Sequence, residues 1–236
     1  MKEKNKKVKS ILISQPKPEG KSPYAALEKK HKLKIDYRPF IHLEELTAVE
    51  FKEQRISILN HDAVIFTSKN SMDHYFGMME KLRLRIPDFT KYFCVSEAVS
   101  YYLQKYTTYR KRKIYVAEKN FSDLVEIMKK HDSEKFLFPG AEKINVKFTS
   151  LLDSSDVNCT RAIFFKTIPK KLNLKKLSYD MLVFFSPIAI ESLFFNFPDF
   201  EQHDTKIAVF GETTKKMAEK FNLKVDLKVP TEKHLS

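Results

Sequence analysis

The chain has 236 residues, a net charge of +13 and only four glycines. The few glycines exclude the phosphate-binding loops of P-loop and Rossmann proteins, which need several glycines in a fixed frame. The charge favours an anionic partner such as nucleic acid, a membrane surface or a polyanionic small molecule, but lysines spread along the whole chain are equally consistent with solvated faces.

The cysteines and histidines predict an unmodified intracellular protein. Cys94 and Cys159 provide no disulfide framework, and Cys94 lies in an apolar stretch typical of a buried thiol. The apolar run near the N-terminus is too short for a signal peptide, and no stretch approaches the roughly 20 apolar residues of a membrane helix. The seven histidines show no metal-ligand spacing. We therefore expect a cytoplasmic protein without a metal.

Seven short apolar runs follow one another along the chain, each followed by small or turn-forming residues and an amphipathic stretch. They comprise residues 11–13, 63–67, 92–95, 113–116, 135–138, 181–185 and 207–210. Runs of this length that do not alternate with polar residues are typical of strands buried on both faces. The regular alternation of strand and helix predicts parallel sheets with right-handed crossovers.

Units of the first half recur in the second half. DAVIFTSKNSMDHYF (62–76) aligns without a gap with DMLVFFSPIAIESLF (180–194), and residues 91–106 align with 206–221. Weaker matches pair 119–124 with 230–235 and 9–15 with 135–140. The repeats predict an internal duplication that produces two α/β domains of four strand–helix units each.

Small residues precede the predicted helices at Ser68, Ser96, Ser186 and Gly211. A serine at such a position caps the free backbone N–H groups of the helix, and glycine permits close backbone approach. The same position, at the carboxyl end of a strand, also suits an anionic ligand. Both interpretations, structural cap and anion site, remain open for each of the four residues.

The ordered motifs IFTSKN (65–70), FPG (138–140), FFSP (184–187) and VFGETT (209–214) resemble those of the uroporphyrinogen-III synthase family. The resemblance extends over the chain after about residue 8. It implies two similar doubly wound parallel-sheet, flavodoxin-like α/β domains joined by two linker strands. The implied domains are residues 1–40 with 171–236, and 46–165, and the implied linkers are 41–45 and 166–170.

The resemblance also implies a reaction. The family closes the linear tetrapyrrole hydroxymethylbilane into uroporphyrinogen III, inverting ring D, without metal or organic cofactor, in haem and sirohaem biosynthesis. The terminal hydroxyl leaves to give an azafulvene, and a spirocyclic pyrrolenine then opens and recloses. Such chemistry depends chiefly on positioning and electrostatics, and a basic protein suits a substrate with eight carboxylates. The implied protein is a monomer with no nucleic-acid or membrane partner.

Matches to the family's motifs predict a set of substrate-binding residues: Thr67, Ser68, Asn70, Ser96, Gly140, Lys143, Ser186, Gly211, Thr213 and Thr214. Two positions depart from the family pattern. Val99 stands where a hydroxyl is usual, and Phe165 matches a tyrosine often proposed to assist departure of the substrate hydroxyl. Phenylalanine keeps the ring but cannot donate a proton.

These departures leave a second interpretation, a non-catalytic homologue that binds a tetrapyrrole or another polyanion in a regulatory role. A nucleic-acid-binding module would rest on charge alone. The even spread of lysines and the lack of basic segments interleaved with aromatic residues count against it.

Overall fold

The structure, a computed structural model, describes residues 7–20, 22–143, 146–174 and 176–230, without the side chains of 146 and 147. Its strands are β1 (Ser10–Ile13), β2 (Lys34–Tyr37), β3 (Ile41–Glu45), β4 (Ala63–Phe66), β5 (Lys91–Cys94), β6 (Ile114–Val116), β7 (Phe136–Ala141), β8 (Cys159–Pro169), β9 (Met181–Phe184), β10 (Lys206–Phe210) and β11 (Val225–Val229). Its helices are α1 (Ala25–His31), α2 (Ala48–Glu53), α3 (Lys69–Lys81), α4 (Glu97–Tyr102), α5 (Phe121–Lys129), α6 (Val146–Asp153), α7 (Pro187–Asn196) and α8 (Glu212–Lys220). Each of the seven apolar runs of the sequence coincides with a strand apart from single residues at the ends, except that β7 continues three residues beyond its run.

The strands belong to two sheets in two compact units. Unit 1 extends to His42 and resumes at Ile168, and unit 2 comprises Leu43–Thr167. The sheet of unit 1 has the order β11-β10-β9-β1-β2, with parallel pairing throughout. The second sheet has the order β3-β8-β7-β4-β5-β6, and its strands from β8 to β6 are parallel. The predicted linker 41–45 coincides with β3, whereas most of 166–170 is the end of the long strand β8.

The two sheets have the same internal order, as the repeats predict. Strands β8-β7-β4-β5-β6 of unit 2 correspond in place to β2-β1-β9-β10-β11 of unit 1. The doubly wound α/β fold class with two similar parallel sheets is therefore confirmed. If the parallel strands of unit 2 are numbered 1 to 5 along the chain, from β4 to β8, their order across the sheet is 3-2-1-4-5. The direction of the crossovers therefore reverses beside β4. The second copy of the weak repeat at 230–235 lies, apart from residue 230, outside the described residues.

The repeated aspartates at the start of β4 and β9 have one structural function. The Asp180 carboxylate accepts hydrogen bonds from the backbone N–H groups of Lys9 (3.0 Å) and Ser10 (2.9 Å). Asp62 accepts from the N–H of Lys135 at 2.9 Å. Each aspartate thus ties its own strand to the start of the neighbouring central strand, β1 or β7. Hydrogen bonds to an ionised acceptor are stronger than neutral ones, which favours an aspartate at this place in both copies.

Apolar residues on both faces of the unit 2 sheet are buried. Val64, Phe66 and Phe164 contribute to a core that includes side chains of α2, α3 and α4, while Ile65 and Phe93 belong to a second core with α5 and α6. Burial on both faces is the physical reason why these strands appear in the sequence as continuous apolar runs.

Candidate active site

Each parallel sheet contains one point at which successive crossovers leave in opposite directions, and open α/β sheets bind ligands outside the carboxyl ends of the strands there. In unit 2 this point lies between β4 and β7, and in unit 1 between β9 and β1. The predicted residues Thr67 and Ser68 directly follow β4, Lys143 follows β7, and Ser186 follows β9 shortly. Within each unit, the fold therefore brings that unit's own predicted residues to the point where the sheet geometry favours ligand binding.

The hydroxyls of Ser68 and Ser96 act as helix caps. The Ser68 Oγ accepts a hydrogen bond from the N–H of Ser71 at 3.1 Å, and the Ser96 Oγ accepts from Val99 at 3.4 Å. The cap interpretation is thus correct for both side chains. Val99 itself is buried, at 7 % exposure, in the core of unit 2. Thr67 is half-buried, and Asn70 is exposed in the first turn of α3.

In unit 1, the start of α7 is not capped in this way. Ser186 precedes the helix, but its hydroxyl makes no capping hydrogen bond among the described residues. Gly211 precedes α8 with φ +81°, a conformation that favours glycine. Thr213 is exposed, whereas Thr214 is 1 % exposed, so Thr213 is the accessible hydroxyl of this pair.

Sequence reasoning missed Ser14, which follows β1 at the same point of the unit 1 sheet. Ser14 is 4 % exposed, and its hydroxyl has no hydrogen-bond partner among the described residues. An unpaired buried hydroxyl is costly, so this group is one that a bound carboxylate or a water molecule would satisfy. The only sequence signal is the weak repeat, which aligns Ser14 with Gly140.

Two stacked aromatic rings lie at the carboxyl ends of neighbouring strands in unit 1. Phe185 follows β9 and Phe210 ends β10, and their ring centroids are 4.2 Å apart with planes at 17°. Both rings are partly exposed. The repeats align them with Thr67 and Val95, so the two units carry different chemistry at equivalent positions.

The family motif led us to expect Gly140 in a strand-end loop, but Gly140 lies within a strand. It is the fifth residue of β7, is buried and pairs with Ile163 of β8. The ladder between β7 and β8 continues to Ala141, which explains why the loop begins later. Lys143 is exposed beyond the end of the strand.

Phe165 lies at the carboxyl edge of the unit 2 sheet, on β8 opposite Ala141. Its side chain is 7 % exposed, and its carbonyl accepts a hydrogen bond from the N–H of Glu142 at 3.0 Å. The imidazole of His74, from the second turn of α3, stacks on the Phe165 ring with a centroid distance of 4.4 Å and an interplanar angle of 29°.

His74 belongs to a charged cluster that the sequence did not reveal. Its Nδ1 lies 3.1 Å from Oε1 of Glu45, at the end of β3, and Lys81 of α3 donates to the other carboxylate oxygen. The hydrogen bond from Lys81, followed by the one with His74, lowers the pKa of Glu45 despite partial burial. Glu45 and His74 come from separate elements, so no local spacing could have paired them.

The described residues show neither a metal-binding cluster nor a membrane-spanning helix. Within the described ranges, no three His, Cys, Asp or Glu side chains come together as a metal site. None of the described helices combines the length and apolar character needed to cross a bilayer.

Two doubly wound parallel sheets with polar residues at their switch points define a two-unit α/β protein. Residues 22–236 match the family described as uroporphyrinogen-III synthase HemD. The chain belongs to the uroporphyrinogen-III synthase family, a family of lyases that functions in tetrapyrrole biosynthesis.

Solved structures of low sequence identity share the fold. One is a uroporphyrinogen-III synthetase from Helicobacter pylori, with 15 % identity, TM-score 0.59, and coverage of 96 % of this chain and 94 % of that one. Another is a mutant uroporphyrinogen III synthase from the extremely thermophilic bacterium Thermus thermophilus, with 14 % identity, TM-score 0.51, and coverage of 95 % and 94 %. Among curated proteins, no sequence matches this chain.

Proposed function

We propose that the chain binds hydroxymethylbilane and closes it, without a cofactor, into uroporphyrinogen III with ring D inverted, and that each unit offers binding groups at the carboxyl edge of its own sheet. The observation that supports this site most directly is the pair of serines beside the switch point of unit 1. Among the described residues, the buried hydroxyl of Ser14 has no hydrogen-bond partner, and the hydroxyl of Ser186 makes no capping hydrogen bond. Hydroxyl donors left unused at a strand edge suit the carboxylates of a polyanion.

At the unit 1 edge, the available groups fit one substituted pyrrole. The hydroxyls of Ser14, Ser186 and Thr213, with the backbone of Gly211, serve acetate and propionate groups. The rings of Phe185 and Phe210 provide an apolar surface beside them. Aromatic side chains favour stacking with other rings, so this edge is suited to hold a pyrrole by its face and its carboxylates by their oxygens.

At the unit 2 edge, the accessible groups are fewer. The predicted substrate-binding side chains that are not used as helix caps are those of Thr67, Asn70 and Lys143. Ser68 and Ser96 contribute indirectly, because their hydroxyls order the starts of α3 and α4. The N-terminus of the 13-residue helix α3 carries partial positive charge toward this edge. This edge also carries Phe165, on whose ring the imidazole of His74 stacks.

The remaining parts of the proposal concern setting and partners. The net charge of +13 favours the approach of a substrate with eight carboxylates. We retain a monomeric, cytoplasmic protein without a nucleic-acid partner, and the predicted domain boundaries, as parts of the proposal. Both cysteines are free, which agrees with a reducing compartment.

The proposal is tested by the rate at which the protein consumes hydroxymethylbilane, compared with spontaneous closure. We expect Ser14→Ala and Ser186→Ala each to raise KM about 10- to 100-fold, because each loses one hydrogen bond to a charged group, with little change in stability. Ser154→Ala is the matched control, because Ser154 directly follows α6 and its hydroxyl already donates to the Leu151 carbonyl, so KM should not change. Unchanged KM in both first variants would remove the unit 1 edge from the substrate site.

A non-catalytic homologue that only binds tetrapyrroles is the competing function, favoured by Phe165 and Val99. It predicts binding of uroporphyrin III with no consumption of hydroxymethylbilane above the spontaneous rate. The consumption assay separates the two functions directly.

A further inference from the structure

Phe165 leaves the position of the family's tyrosine on β8 without a side-chain proton donor. The group that lies against the Phe165 ring is the imidazole of His74. We infer that His74, oriented by Glu45, donates the proton that allows the substrate hydroxyl to leave. This inference rests on the proposed function, because it assigns a role within that reaction.

The geometry leaves one nitrogen of His74 available. Its Nδ1 is held by Glu45 Oε1 at 3.1 Å, and Nε2 has no hydrogen-bond partner among the described residues. The side chain is 13 % exposed, so a ligand at the sheet edge can reach it. A carboxylate on one nitrogen orients an imidazole, while the other nitrogen exchanges the proton. The charged groups of the cluster are Glu45, on β3, and Lys81, which pairs with Glu45 from α3.

Helix α3 contains a feature that supports this arrangement. Gly77 lies one turn after His74, and a Cβ at that position would come within 3.1 Å of Glu45 Oε1, the same oxygen that holds His74. Such a distance is tighter than ordinary van der Waals contact. A glycine inside a helix is unfavourable, and here it makes room for the carboxylate that orients the imidazole.

The step balances without any further reactant. The His74 imidazolium gives its Nε2 proton to the terminal hydroxyl as the carbon–oxygen bond breaks, and water leaves with the bonding electron pair. The pyrrole nitrogen supplies electrons to form the azafulvenium. After ring closure, the proton lost from the attacked pyrrole carbon returns to the imidazole, so the net change is cyclisation with release of one water. His74 therefore acts as acid and then as base.

The test is single-turnover closure of hydroxymethylbilane by the full chain, with separation of the type I and type III products. For His74→Gln we expect a fall in rate of about 10- to 100-fold, toward the low end of general-acid effects, because this hydroxyl leaves readily. The product that the enzyme forms should still be type III. The matched control is His203→Gln, because His203 also pairs with a glutamate at 3.1 Å but is 75 % exposed in a loop before β10.

A second variant keeps the inference testable if His74→Gln acts only through packing. Adding Phe165→Tyr to His74→Gln restores a proton donor on the ring that His74 covers, and we expect it to recover at least about threefold of the lost rate. Rates for His74→Gln equal to wild type would overturn the inference, as would a loss of rate that Phe165→Tyr does not recover. A wild-type protein that forms no type III product would instead overturn the proposed function.

Discussion

Single residues of α3 serve the site at the expense of the helix. Gly77 is an interior helical position, where glycine is about 1 kcal/mol less favourable than alanine. The space above it is occupied by the Glu45 carboxylate rather than by open solvent. The low helix propensity of glycine is therefore tolerated at this position, because the Glu45 carboxylate that contacts His74 needs the space.

Replacing Gly77 separates these two effects. We expect Gly77→Ala to raise the free energy of unfolding by up to about 1 kcal/mol, measured by urea denaturation, because of its helix propensity. The same change displaces Glu45 from His74 and should lower the rate of hydroxymethylbilane closure several-fold. Glu80→Ala, at an exposed position of the same helix, is the control. A stabilised Gly77→Ala enzyme with full activity would contradict the assigned role of Glu45.

The sequence allowed some site residues to be predicted and concealed others. Ser68 and Ser96 stand directly before helical patterns, so their position at helix starts could be deduced locally. Ser14 precedes no such pattern, and its importance comes from its unpaired hydroxyl at the edge of a sheet. Glu45 and His74 meet only because β3 and α3 fold together. Contacts between distant segments carry no local signature in a single sequence.

At the level of elements, apolar runs marked most interior strands and the edge strand β6, but not the edge strands β2 and β11 or the long interior strand β8. The interior strand β4 is buried along its whole length, and its apolar run was recognised. The edge strands β2 and β11 contain exposed, charged positions, and no apolar run marks them. An edge strand is paired on one side only, so charged residues are tolerated there and even protect against aggregation.

Glu50 connects the start of helix α2 to strand β8. Thr47 and Glu50 form a reciprocal capping box at the start of α2. Glu50 also pairs with Lys166 of β8 at 2.9 Å. The hydrogen bond from the Thr47 backbone, with those from Lys166 and the Thr47 hydroxyl, lowers the pKa of Glu50 from 4.5 to about 2.

This lowered pKa predicts a pH dependence of stability. Because the pKa is lower in the folded chain, ionised Glu50 stabilises the fold above pH 4.5, and the contribution disappears as the pH falls toward 2. We therefore expect the melting temperature of wild type to exceed that of Glu50→Gln at about pH 7, and the difference to shrink below pH 4.5. Glu53→Gln on the same helix is the control. A difference that does not change with pH would contradict the ionic origin of the effect.

At the level of the whole molecule, the two units differ in the number of chain segments that form them. Unit 2 is one continuous segment with its own cores on both faces of the sheet. Unit 1 needs two segments, because its interior strand β1 lies between β9 and β2. The repeats predicted equivalent units, but the repeats alone could not determine which segments share a sheet.

The units should therefore behave differently when separated. We expect residues 43–167 to fold alone and to unfold cooperatively, as followed by circular dichroism during heating. Residues 168–230 lack β1 and β2 and should show no cooperative transition. Cooperative folding of 168–230 by itself would contradict the importance of β1 for unit 1.

The most direct measurement is the isomer of uroporphyrin that wild-type protein produces from fresh hydroxymethylbilane, after oxidation and chromatographic separation. Spontaneous closure produces type I and provides an internal background. The proposed site predicts mostly type III, increasing with protein concentration at fixed reaction time, although Phe165 carries no hydroxyl. Type I alone, from protein that is folded and binds uroporphyrin III, would contradict catalysis and favour the binding homologue.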